Sequence, residues 1–260
     1  MQITLLDKNK EKTFASFLIK DSTPAYVNSL RRTIINQVPT MAIEDVDFKK
    51  NNSILYDEII AHRLGLVVLS TDIKSYNIPS ECNCKGKGCM KCTLKMTLKA
   101  KGPGYVYASE IKSKDPKIKP VYPKTIIAKL LKDQEIELEA TAMLGEGRDH
   151  IKWSPALVFY TYNPAITVNN KSKKFDEFKN KYPPQVFDSS GKIDKKLITG
   201  NLIDACEGVC DDVVNIEYDD KSFIFNIESW GQLTYKEIVT KSIDILNKEL
   251  DGFEKQLTKK

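Results

Sequence analysis

DSTPAYVNSLRRTIINQVP, residues 21–39, reads as a helix with both ends marked. Ser22 or Thr23 can cap it, Pro24 falls in its first turn, and Pro39 stops it. Val27, Leu30, Ile34 and Val38 recur three or four residues apart, so the helix presents one apolar stripe to a core. Arg31 and Arg32 stand beside that stripe. Two readings fit them: a solvent-facing flank, or guanidinium forks that grip a partner's carboxylates or carbonyls.

Working outward, residues 2–8 and 12–20 alternate apolar and polar side chains and predict two strands joined through Asp7-Lys8-Asn9-Lys10. At the other end, KSFIFNIES (221–229) predicts a strand, followed by the strongest helical pattern in the chain. There Thr234 and Glu237 have the spacing of a capping box. Val239, Ile243, Leu246, Leu250, Phe253 and Leu257 then follow at intervals of four and three, a narrow heptad stripe. The stripe suits either the domain's own core or a partner helix.

Between these ends the sequence is strand-like and broken by turns. ILYDEIIAHRLGLVVL (54–69) reads as a helix passing into a buried β run, with His62 packed or hydrogen-bonded rather than catalytic. TLKMTLKAKG (93–102) alternates as a strand, and KDPKIKPVYPK (114–124) is a proline-rich loop. Residues 135–164 read as strand, glycine loop, strand. The loop carries Arg148, His150, Lys152 and Trp153; Arg and Trp are common interface anchors, so partner contact is expected in preference to catalysis. Gly145-x-Gly147 is too short for a phosphate loop. From Ala165 to Asn215 the pattern weakens, with Cys206 and Cys210 spaced to share one side of a helical turn.

ECNCKGKGCMKC (81–92) is different in kind. Cys82, Cys84, Cys89 and Cys92 offer the four soft donors a tetrahedral zinc ion needs. Gly86 and Gly88 let the backbone turn back on a metal, and Lys85, Lys87 and Lys91 can offset thiolate charge. We expect one structural zinc, with an iron–sulfur cluster as the rival that also takes thiolates. Four protein ligands leave no open position for catalysis.

The 260 residues carry 40 basic and 35 acidic side chains, a net +5 too evenly spread to nominate a nucleic-acid groove. No apolar run is long enough to span a membrane. The start, MQITLLDKNKEK, lacks the pattern of a signal peptide, which predicts a cytoplasmic protein with reduced thiols.

VNSLRRTIINQVPTMAIEDV (27–46), AHRLGLVVL (61–69), GRDHIKWSP (147–155) and FNIESWGQLTYKEIV (225–239) together resemble the D-subunit family of archaeal DNA-directed RNA polymerases over almost the whole chain. That family is similar to the eukaryotic third-largest polymerase subunits and to the N-terminal domain of the bacterial α subunit. The resemblance implies an α+β fold. Residues 1–42 and 217–260 would form a discontinuous dimerisation domain, a sheet with two long helices. Residues 43–164 would be a mainly-β insert domain holding the cysteine loop 82–92. Residues 165–216 would be a reduced, vestigial ferredoxin-like segment, because Tyr182 stands where a cysteine would precede the proline and only Cys206 and Cys210 follow. Two thiolates cannot supply the four ligands of a cubane cluster, so none is expected. The implied role is a non-catalytic assembly subunit that pairs with the small L subunit. The pair would receive the large catalytic subunits and further small ones, with little direct DNA contact. The alternative is a free-standing zinc-containing nucleic-acid binder.

Overall fold

The computed structural model describes residues 1–258. In chain order the elements are β1 (Gln2–Lys8), β2 (Phe14–Lys20), α1 (Pro24–Gln37), β3 (Thr40–Asn51), α2 (Asp57–Gly65), β4 (Thr93–Lys101), β5 (Gly104–Tyr107), β6 (Lys112–Ser113), β7 (Ile126–Leu130), β8 (Glu135–Gly145), β9 (Ala156–Val168), α3 (Phe175–Phe178), α4 (Asn201–Cys206), β10 (Val214–Ser229) and α5 (Tyr235–Thr258). Three sheets run in the orders β1-β2-β10-β9, β3-β8-β4-β6 and β5-β7. The expected α+β class holds, with helices few and the pairings given register antiparallel.

The chain divides into two compact units. The larger comprises Leu5–Phe17, Ala25–Phe159 and the described residues from Phe225. Its central sheet pairs β8 with β3 from Thr40↔Gly145 to Asn51↔Ile136, and with β4 from Thr93↔Met143 to Lys101↔Glu135. The clean alternation in β4 puts Leu94, Met96, Leu98 and Ala100 into the core beside Ile60 and Leu64 of α2. The opposite face is a cross-strand charge ladder, Lys95–Glu139 at 3.1 Å, Lys99–Glu137 at 2.6 Å and Lys101–Glu135 at 3.3 Å. A period-two pattern with one apolar and one charged face is what a half-buried antiparallel sheet requires.

The α1 stripe is inside as expected: Val27, Leu30, Ile34 and Val38 are buried. Residues 54–69 differ from their reading. The helix is there, but Val67 and Leu69 are buried without forming a strand, and Leu69 makes only an isolated bridge to Pro120. Leu66 closes the helix in a tight turn, and beyond it the backbone pairing with residues 119–121 is confined to Val121 N–H to Val68 O and Ser70 N–H to Lys119 O, both at 2.9 Å. His62 is exposed on α2 rather than packed.

The smaller unit comprises Met1–Thr4, Leu18–Pro24 and Tyr160–Ile224. It has its own core of Ile166, Tyr182, Val186, Ile193, Ile198, Cys206, Val213 and Val214. Cys206 and Cys210 do not share a helical turn, because α4 ends at Cys206 and Glu207 is extended. Cys206 is fully buried, and burial pushes its thiol pKa up, as for a packed thiol. Tyr182 lies in this core with its hydroxyl donating to the Cys210 carbonyl at 3.2 Å, and burial raises its pKa to about 12.

Candidate metal centre and partner surfaces

The cysteine loop leaves a short 3-10 turn at Pro79–Glu81 and ends directly in β4. Backbone bonds build it: Lys85 N–H to Cys82 O at 2.9 Å, Lys87 N–H to Cys84 O at 3.2 Å, and Cys92 N–H to Cys89 O at 2.9 Å. Thr93 clamps the second turn by donating its N–H and its hydroxyl to Cys89 O, at 2.9 and 3.1 Å. Gly86 and Gly88 both take φ +79°, a conformation that costs other residues energy.

These turns bring all four sulfurs within 4.8 Å of one another, with Cys82–Cys89, Cys84–Cys92 and Cys89–Cys92 at 3.6, 3.5 and 3.7 Å. A tetrahedron with metal–sulfur bonds of about 2.3 Å has edges of about 3.8 Å. The donor set therefore fits a four-coordinate divalent ion. Hydrogen bonding, chiefly from Cys92, lowers the Cys84 thiol to about 7, while burial raises Cys92 to about 12. Cys82 and Cys92 are buried and the loop lysines exposed, so the charges lie on the solvent side.

A second surface joins α1 to the loop after β8. Arg148 N–H donates to Asn36 O at 3.0 Å, and Gly147 lies so close to α1 that a Cβ there would stand 2.0 Å from Ile35 O. Asn36 is one turn beyond Arg32, so the structure brings α1 and the loop's arginine together. Arg32, Arg148 and His150 are exposed. Arg31 is half-buried, its Nε and Nη2 donating to Asn28 Oδ1 at 3.1 and 2.9 Å. Arg148 Nε also lies 2.5 Å from Glu146 Oε2; burial pushes the Glu146 carboxyl pKa up, and Arg148 partly opposes this.

Two residues of this loop, Lys152 and Trp153, face inward within this chain. Trp153 is 7% exposed, packed against Gly145, where an added Cβ would meet its ring at 2.4 Å. Lys152 pairs with Glu44, donates to Ile43 O at 3.0 Å and lies 4.4 Å from the Trp153 ring centre. They fix the loop to the sheet, while Arg148 and His150 are exposed. Sequence reasoning misses Glu44, more than 100 positions away, because nothing local marks a partner so distant.

The third surface is α5. Thr234 and Glu237 form the capping box, with N–H···O distances of 2.9 and 3.3 Å. Ile238 and Ser242 are buried and Ile245 half-buried, so the helix meets its own domain along one stripe. The heptad stripe is one position over. Val239 and Leu246 are half-buried at its edge, Ile243 is exposed, and Leu250, Phe253 and Leu257 are 64%, 60% and 69% exposed. From Asn247 every described residue of the helix is exposed.

Residues 42–156 match the family described as the RNA polymerase Rpb3/RpoA insert domain. The whole chain is similar to the DNA-directed RNA polymerase subunit Rpo3 of Methanosphaera stadtmanae, 34% identical over 97% of both chains. It is also similar to that of Methanosarcina acetivorans, 35% identical over 95% of this chain and 94% of the relative. The subunit Rpo3 of Pyrococcus furiosus is 31% identical over 100% and 98%. The chain belongs to the Rpo3 family of DNA-directed RNA polymerase subunits. The similarity thus extends over 94–98% of the length of these Rpo3 relatives. Among the described residues of this Rpo3 family member, no helix is long and apolar enough to cross a membrane. The cysteine loop, at 82–92, lies inside the matched insert domain.

Proposed function

We propose that this chain is a non-catalytic assembly subunit of DNA-dependent RNA polymerase, acting in transcription as a platform rather than as an enzyme. The single observation that carries this is the bare stripe on α5. The last three turns of α5 are held by polar contacts, Lys248 with Glu81 at 3.5 Å and Gln37 donating to Glu249 at 3.0 Å, while Leu250, Phe253 and Leu257 stay exposed, and such an apolar stripe calls for a covering partner. The partner is the small L subunit of the polymerase, meeting Val239, Ile243, Leu246, Leu250, Phe253 and Leu257. Residues 1–42 and 217–260 form the dimerisation domain, residues 43–164 the insert domain and residues 165–216 a segment without a cluster. Arg31, Arg32, Arg148 and His150 then receive a large catalytic subunit, the platform residing in the cytoplasm. Membership of the Rpo3 family favours this over a free-standing nucleic-acid binder.

Cys82, Cys84, Cys89 and Cys92 hold one zinc ion as a staple; when bound, the ion ties the loop to β4 and supplies no reaction chemistry. An iron–sulfur cluster in residues 165–216 does not fit, since Tyr182 fills the core beside the only two thiols there. The test is co-expression with the L subunit, followed by size-exclusion chromatography and metal analysis. A one-to-one complex with one zinc per chain is expected. Separate elution of the two chains rejects the platform, and stoichiometric iron in place of zinc rejects the metal assignment.

A further inference from the structure

Residues 102–132 hold seven lysines against two carboxylates, a surplus equal to the whole chain's net +5, with Lys117 paired to Asp72 at 3.1 Å. The segment includes the two-stranded ribbon β5-β7, whose inner face, Val106, Ile127, Ala128 and Leu130, packs into the core. Its outer face is apolar as well. Tyr105 and Ile126 are 50% and 51% exposed, and Leu131, just past the ribbon, is 56% exposed. Tyr105 pairs across the ribbon with Lys129, whose ammonium lies 5.3 Å from the ring centre, and Tyr107 pairs with Ile126.

The patch continues onto α2. Arg63 donates to Ile127 O at 2.9 Å, and the exposed Ile59 sits one turn before it on the same helical face. Lys124, Lys129 and Lys132 are exposed among these apolar groups, and none forms an ion pair with a described residue. The contrast with the neighbouring sheet is sharp, where Lys95, Lys99 and Lys101 each form an ion pair with a glutamate of β8. Unpaired cations around exposed aliphatic and aromatic side chains are complementary to a protein segment with carboxylates around an apolar anchor. Nucleic acid fits less well. Ile59, Ile126 and Leu131 offer no surface on which bases stack, and Lys129 already lies against the Tyr105 ring.

We propose that the outer face of β5-β7, with Ile59 of α2, docks an acidic segment with an apolar anchor from another polymerase subunit. This rests on the platform reading and adds an interface separate from the α5 stripe and the arginine surface.

The test is reconstitution of the polymerase from purified subunits, with a photo-crosslinking phenylalanine analogue at Tyr105 and, as a control, at Lys95 on the charge ladder. A cross-link from position 105, absent from position 95, to a subunit segment rich in Asp or Glu is expected. In parallel, Lys129→Glu combined with Tyr105→Ala should weaken retention of that subunit by roughly tenfold or more, and more so at low salt. Both side chains are exposed, so the variant's circular dichroism should match the parent; Lys129→Ala, with a smaller loss, is the check if it does not. Cross-links to nucleic acid, no cross-link above the control, or unchanged retention would each overturn the proposal. Pairing with the L subunit is scored in the same experiment. If pairing forms and Tyr105 stays unlinked, only this inference falls; if pairing never forms, the platform reading falls and takes this one with it.

Discussion

Leu250→Glu separates a partner surface from a core surface. Leu250 is 64% exposed, and no described residue of α5 beyond Leu246 is even half-buried. In the free chain the substitution removes little buried area, so its effect on stability should stay within about 0.5 kcal/mol, as for other surface changes. In the heterodimer the accounting reverses. Complete burial of a leucine is worth about 1.5–3 kcal/mol, and roughly two-thirds of that remains to be gained when a partner covers this one, about 1–2 kcal/mol. A glutamate there also brings an unpaired charge into an apolar seam, costing a few kcal/mol more. Pairing should therefore weaken by at least about a hundredfold while the melting temperature of the free chain hardly moves. Titration calorimetry with the L subunit, beside thermal unfolding of the free chain, reads both quantities. Unchanged pairing would refute the argument, and so would a loss of free-chain stability equal to the loss of pairing.

Trp153→Ala should destabilise the free chain by about 3–5 kcal/mol in a urea titration, because it empties the space over Gly145 rather than removing a partner contact; full stability with lost subunit recruitment would reverse that assignment. Cys89→Ser should release the metal and raise hydrogen exchange across residues 80–95, leaving α1 and α5 protected. Zinc-bound sulfurs must be thiolates, so protons compete with the ion and zinc should be lost as pH falls, not as it rises; retention that weakens toward high pH would contradict thiolate ligation. Arg32→Lys keeps the charge but loses the planar fork, so stepwise reconstitution should show normal pairing with the L subunit and impaired recruitment of a large subunit; normal recruitment would return Arg32 to a solvated flank.

The parts legible from sequence are those whose physics is local. A helix announces itself through caps and spacing, which is why α1 and the Thr234–Glu237 box lie where the pattern puts them. β4 is readable because one face meets the core and the other meets water. The cysteine cluster is readable because four ligands fall within eleven residues, and two positive-φ glycines permit the turns between them. Strand β10 begins at Val214, ahead of the 221–229 pattern, because the pairing that keeps it extended comes from strands distant in sequence.

What resists reading depends on long-range packing. Trp153 has the composition of an interface anchor, yet its environment is set by Gly145 and by a carbonyl at Met143, ten residues back, 3.4 Å from its indole nitrogen. Lys152 looks like a surface cation until Glu44 and the Ile43 carbonyl are found beneath it. The same logic runs the other way on α5. Sequence alone leaves open whether the heptad stripe closes the domain or meets a partner, because both need the same spacing. The packing of α5 favours the partner, through a second, adjacent stripe: Ile238, Ser242 and Ile245 already face the domain. Four of the six stripe residues, Ile243, Leu250, Phe253 and Leu257, are exposed in the free chain, so the core met along the first line does not use them.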